Sequence, residues 1–174
     1  LEGGGSNYNH VDLIDNHWTN TAEIPGNGVD DDNNGYVDDF NGWNAGNNSD
    51  NIAAGGHGTS VSGMIGATGN NGIGGSGVNW DVDIMQIDMG GGLSEANVIA
   101  AYEYPKVMRD IYNASAGVDG AFVVATNASW GIDQANPANY PVWCAYYDAL
   151  GDSGILNCGP TTNSALNGDV VGGL

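Results

Sequence analysis

His57 heads the run His57-Gly58-Thr59-Ser60-Val61-Ser62-Gly63, in which small residues follow the imidazole at nearly every step. Such a segment packs tightly as a helix, and Gly58 and Gly63 permit close backbone approach, a setting that suits a histidine acting as general base near neutral pH. A second constellation lies upstream. Asp30, Asp32, Asn34, Gly35, Tyr36 and Asp38 follow the spacing D-x-D-x-N-G-x-x-D, the opening positions of an EF-hand-type loop. Oxygen ligands at alternate positions, a glycine for the sharp turn and the Tyr36 carbonyl point to Ca2+. Asn41 stands where that loop has its bidentate glutamate, so Asp38 or Asp39 completes the shell. A merely solvated acidic turn is the plainer alternative.

The histidine run resembles the HGT-x-V-[AS]-G motif of the subtilisin-like serine proteases, and Ser62-Gly63-Met64-Ile65-Gly66-Ala67 resembles its continuation. His10-Val11-Asp12-Leu13 is similar to the H-P-D-L that follows the family's catalytic aspartate. Glu23-Ile24-Pro25-Gly26-Asn27-Gly28 and Gly42-Trp43-Asn44 resemble an insert carried by some bacterial members. Asn127-Ala128-Ser129-Trp130-Gly131 resembles the N-x-S-L-G segment, and residues 154–163, GILNCGPTTN, align without a gap to G-V-L-F-V-A-A-A-G-N. The resemblance implies a secreted, calcium-stabilised endopeptidase with a Ser/His/acid triad. His57 is then the base, Ser129, Trp130 and Gly131 hold an extended peptide or protein substrate, and Asn163 donates a side-chain hydrogen bond to the oxyanion, an interaction of about 3 kcal/mol.

Three departures qualify that expectation. Counting back from His10 without a gap puts Gly3 at the family's aspartate, whereas one extra glycine puts Glu2 there, and Glu2 is the favoured reading. Its additional methylene shifts the carboxylate by roughly 1 Å, which the backbone must absorb. Thr162 replaces the glycine before the oxyanion asparagine. No serine fills the G-T-S-M-A-x-P slot, so a segment ending at Leu174 is expected to be inactive alone and to lack the central helix that bears the nucleophile. Its uncovered sheet would need the remainder of the domain or identical chains. The rival reading is a non-catalytic relative serving as an extracellular structural or filament module; a calcium-binding adhesion module is a weaker third.

The elements that must position these groups follow from composition and pattern. At 174 residues and 41% hydrophobic content, one domain with a real core is the default. Twenty-one acidic against two basic side chains, a net charge of -19, exclude nucleic acid and anionic lipid as partners and fit a chain living in salt or calcium. No apolar run approaches a membrane span, no signal peptide is visible, and a start at Leu1 points to processing or truncation. Cys144 and Cys158 could close one short disulfide loop or remain two inert thiols; spacing leaves both open.

Residues 1–56 read as a loop-rich calcium-binding part and 57–174 as an α/β core. Within the core the pattern predicts helices near 57–67, from Ser94 to a kink or restart at Pro105, and over 141–150. Strands are expected over 82–89, 121–126 and 154–158. That alternation implies parallel strands joined by crossovers, a doubly wound sheet of subtilisin-like type with the chemistry at its carboxyl edge.

Overall fold

The structure, a computed structural model, describes residues 1–92, 94–160 and 163. Thr162, which the sequence sets against a family glycine, lies outside the described residues, as does Leu174. The chain forms two compact units, Leu1–Leu93 and Ser94–Leu174.

In the first unit, helix α1 spans Gly56–Gly66 and strands β1, Trp43–Asn44, and β2, Ile87–Asp88, pair in parallel with Trp43 opposite Ile87. The expected strand over 82–89 is regular only at its end, but the backbone is tied along more of its length. Ile84 bridges His17, and Glu2 bridges Asp88. The Glu2 N–H donates to the Ile87 carbonyl at 2.9 Å and its carbonyl accepts from Met89 at 2.8 Å, while the Gln86 and Asp88 carbonyls accept from Trp43 and Ala45 on the other side. β2 thus lies between Glu2 and β1, with Ile87, Asp88 and Met89 buried. The loop-rich first third is interrupted by β1.

α1 forms from a run with few large side chains because its packed face needs none. Gly58, Ser62 and Gly66, four residues apart, are its buried positions, and Met64 on another face is exposed. Ser62 Oγ lies 3.2 Å from Ser6 Oγ, and the Gln86 amide donates to it at 3.3 Å.

The second unit holds α2, Glu95–Ala114, and α3, Pro141–Asp152, with parallel strands β3, Ala125–Asn127, and β4, Leu156–Cys158. Ser94 caps α2, its Oγ accepting from the Asn97 N–H. Of the kink or restart expected at Pro105, the restart does not occur. Pro105 is fully buried inside one continuous helix, where the lost backbone bond is offset by burial of Val98, Ala101, Tyr102, Tyr104 and Met108. The strand expected over 121–126 starts later, because 121–123 is held otherwise: the Ala121 N–H donates to the Met108 carbonyl and Arg109 donates to the Val123 carbonyl. Among the described residues the strands form two two-stranded parallel sheets. Parallel pairing matches the sequence reading; one continuous doubly wound sheet is not what the backbone bonds draw.

The disulfide considered for Cys144 and Cys158 is not formed. Both are free thiols: Cys144, in the first turn of α3, donates weakly to the Pro137 carbonyl at 3.6 Å, and Cys158 is exposed at the end of β4.

Candidate functional site

His57 is the second residue of α1, and its Nδ1 lies 2.8 Å from Glu2 Oε2. Each partner is placed by a different device. Glu2 is fixed by its two backbone bonds to the edge of β2. The chain then turns at Gly5, φ +63°, whose bridge to Ala54 lays it along the start of α1. The Asn7 N–H reaches Thr59 Oγ1 at 2.9 Å, a hydroxyl that also donates to the Gly55 carbonyl. Gly58 makes the approach possible, since a Cβ there would stand 2.2 Å from the Gly5 carbonyl oxygen and 2.8 Å from Glu2 Cγ.

The pair is asymmetric in exposure: the His57 side chain is 65% exposed and that of Glu2 12%. A carboxylate acceptor on Nδ1 holds the neutral ring with its proton there and leaves the Nε2 lone pair available to take a proton. The second Glu2 oxygen, Oε1, is buried and without a hydrogen-bond partner. Glu2, not Gly3, is therefore the acid beside His57.

Beside α1, a cavity of about 240 Å³ is lined by His10, Asp12, Leu13, Thr59, Ser60 and neighbouring small residues. Asp12 at its wall accepts from Asn71 Nδ2 at 2.9 Å and from the Gly75 N–H at 3.1 Å, and these bonds hold its carboxyl below the ordinary range.

In the second unit, Ser129, Trp130 and Gly131 follow β3 directly. The ladder continues one step past the strand, the Ala128 N–H donating to the Cys158 carbonyl at 3.0 Å, and Asn127 Nδ2 donates to Ser129 Oγ. Trp130 packs into an aromatic cluster, 6.0 Å from Trp143 and 6.5 Å from Tyr102 between ring centroids. Asn163 is an exposed bend residue.

The acidic loop of the first unit is organised by backbone N–H groups. Asp30 Oδ1 and Asp32 Oδ1 both accept from the Asn34 N–H, Asp30 Oδ2 from Gly35, and Asn34 Oδ1 from Tyr36. Asp38 faces elsewhere, accepting from the Asn27 and Gly28 N–H groups at 2.9 Å each. The carboxylates that converge are instead those of Glu23, Asp32 and Asp39, with one oxygen from each within 4.8 Å of the others. Glu23 was noted in the sequence only as the head of a segment resembling a family insert and not as a ligand, while Asp39 was an alternative to Asp38.

Residues 4–156 match the Peptidase_S8 profile of the Subtilase family. The chain is a subtilase. Over 77 residues it is 54% identical to "Subtilisin-like protease 1" of Plasmodium vivax and 51% identical to the protein of that name in Plasmodium berghei (strain Anka), alignments that cover 43% of this chain. The aligned part spans only 12% and 13% of those relatives. Among solved structures, the "S41 Psychrophilic Protease" superposes on 96% of the subtilase chain and 45% of its own, with a TM-score of 0.62 at 22% identity, which supports the subtilisin-like fold. The subtilase chain therefore spans less than half the length of that protease.

Proposed function

We propose that this chain is the histidine- and acid-bearing part of a secreted, calcium-stabilised subtilisin-like serine endopeptidase. The observation that carries the reading is the 2.8 Å contact between His57 Nδ1 and Glu2 Oε2 at the head of α1. In the reaction, a serine from the family's nucleophile segment gives its proton to His57 Nε2 as its Oγ attacks the peptide carbonyl. Glu2 orients the ring and stabilises the imidazolium. The tetrahedral oxyanion takes a hydrogen bond from the Asn163 side-chain amide, while residues 129–131 hold the peptide beside it. His57 then delivers the proton to the departing amine, leaving an acyl-serine that water cleaves by the same route in reverse.

Calcium would be held in the acidic loop by Asp30, Asp32, Asn34, the Tyr36 carbonyl and Asp38. The turn that gathers Asp30, Asp32 and Asn34 fits that role, and Asp38 would have to leave its two N–H donors to complete it. Bound calcium stabilises the folded loop by linkage.

The test is a labile peptide ester and a serine-directed phosphonate, applied to the full-length protein. Turnover and single-site labelling are expected, with His57→Ala removing both and Glu2→Gln lowering turnover by about 10⁴-fold. The 174 residues alone should do neither. A full-length protein that is folded yet neither labels nor turns over would overturn the reading.

A further inference from the structure

Among the described residues Asn27, Asn34, Asn41 and Asn71 are each followed by glycine. A glycine has no side chain to shield its nitrogen and turns freely, so that nitrogen can approach the carboxamide carbon of the asparagine before it. The fold treats the four pairs differently. The Asn34 amide is tied to Asp32 and to the fully buried Asp39. Asn41 Oδ1 lies 3.4 Å from His17 Nε2 with Gly42 buried behind it, and the Asn71 amide donates to Asp12 at 2.9 Å. Asn27 and Gly28 are both exposed.

Reactive contacts converge on that exposed pair. The Gly28 N–H donates to Asp38 Oδ2 at 2.9 Å, and the Asn27 N–H, donating to Oδ1 at 2.9 Å, holds the same carboxylate in place. The Val29 N–H donates to Asn27 Oδ1 at 2.7 Å, a donor set where negative charge would develop on the carboxamide oxygen. Asn27 Nδ2 donates to Asp31 Oδ2 at 2.8 Å. A nitrogen with a base on its proton, a donor on the oxygen and an anion beside the departing nitrogen are the parts of an intramolecular acyl transfer. Asn34 repeats the first two contacts, with Asp30 on the Gly35 N–H and the Tyr36 N–H on its oxygen, but its amide is locked between two carboxylates.

We propose that Asn27 is a site of spontaneous deamidation driven by its own surroundings, with Asp38 as the base. The Gly28 nitrogen gives its proton to Asp38 Oδ2 and bonds to Asn27 Cγ, and the oxyanion formed on Oδ1 takes the Val29 hydrogen bond. Asp38 returns the proton to Nδ2, which becomes cationic beside the Asp31 carboxylate. The Cγ–Nδ2 bond then breaks, and ammonia leaves a cyclic succinimide. Water opens that ring at either carbonyl, giving aspartate or isoaspartate. Water is consumed and ammonia released, so no oxidant or cofactor enters. The product sets a new carboxylate beside Asp31 and Asp38, and like charge opens the turn that these two now close. The inference is separate from the peptidase reading.

Peptide-mapping mass spectrometry of the full-length protein, aged in neutral buffer with chelator so that Asp38 keeps its N–H donors, tests this. Asn27 should deamidate about 10-fold faster than Asn34, Asn41 and Asn71, with isoaspartate among its products. Asp38→Asn should slow Asn27 by about 10-fold and leave the other three pairs unchanged. Equal rates at Asn27 in wild type and in a folded Asp38→Asn protein overturn the proposal. So does an Asn27 no faster than the other three, or a product free of isoaspartate, which marks direct hydrolysis. Should Asp38→Asn not fold, wild type in buffer is compared with wild type in urea, where all four pairs lose their folded surroundings. Asn27 should react at least as fast folded as unfolded while the others slow on folding, and an Asn27 that folding protects refutes the role of Asp38.

Discussion

Two glycines of the same helix should respond oppositely to one methyl group. A Cβ on Gly63 meets nothing within 4 Å, so Gly63→Ala gains helix propensity and should stabilise the chain by about 0.5–1 kcal/mol. A Cβ on Gly58 would lie 2.2 Å from the Gly5 carbonyl oxygen, so α1 or the chain at Gly5 must move by about 1 Å to reach ordinary contact. Neither moves freely. Gly5 is bridged to Ala54, Glu2 is bonded to β2 on both backbone groups, and Asn7 is tied to Thr59. Overpacking of this kind costs about 1–3 kcal/mol, and because the propensity gain is common to both variants it cancels, leaving them separated by about 1–3 kcal/mol. In a chain of this size that is a melting difference of about 2–12 °C by scanning calorimetry. The displaced carboxylate should also lose the Nδ1–H signal of His57 in ¹⁵N NMR, and on the proposed peptidase reading about 10²-fold in turnover. Equal melting temperatures for Gly58→Ala and Gly63→Ala would refute the argument that Gly58 exists to admit Glu2.

The remaining predictions concern charge. Asn71→Ala removes the largest cause of the lowered Asp12 pKa, so its carboxyl should titrate higher by ¹³C NMR; an unmoved curve would sink that assignment. Because the folded pKa is depressed, the stability Asp12 contributes is present above its unfolded value of about 3.9 and is lost as pH falls through the folded one. Arg109→Ala, which loses the 2.7 Å bond to the Val123 carbonyl and a guanidinium 4.2 Å above the Phe122 ring, should destabilise by about 2–3 kcal/mol in denaturant titration, and wild-type stability would contradict it. At a net charge of -19, the melting temperature should rise with NaCl between dilute and physiological ionic strength as self-repulsion is screened, and a flat response would show the acidic surface to be already neutralised.

What could be read from the sequence divides by the range of the interactions involved. The helix behind His57 was legible because its small residues recur at helical spacing, and the structure begins it at Gly56 and ends it at Gly66. The parallel strands were legible as apolar runs but not in extent: nothing local announces that Ala121 bonds to Met108 or that Arg109 takes the Val123 carbonyl, and these contacts delay β3 to Ala125. β1 was not legible, being two residues whose strand character comes from β2 some forty positions away. At Pro105 the sequence allowed a restart, while the burial of Tyr102, Tyr104 and Met108 around it decides for one continuous helix.

The same division runs through the chemistry. His57 announces itself in seven consecutive residues, whereas the carboxylate beside it is brought there by tertiary pairing across fifty-five positions, where motif spacing alone left Glu2 and Gly3 as rivals. The β2 edge decides between them, since it fixes the backbone of residue 2 and only that residue carries a carboxylate. In the acidic loop the alternating aspartates were visible, but spacing does not say which way a carboxylate turns. Asp38 turns to the Asn27 and Gly28 N–H groups and Asp39 turns inward to Asn20. Two adjacent residues of identical type thus take opposite tasks, one closing a turn with backbone donors and the other placing a fully buried charge beside Glu23.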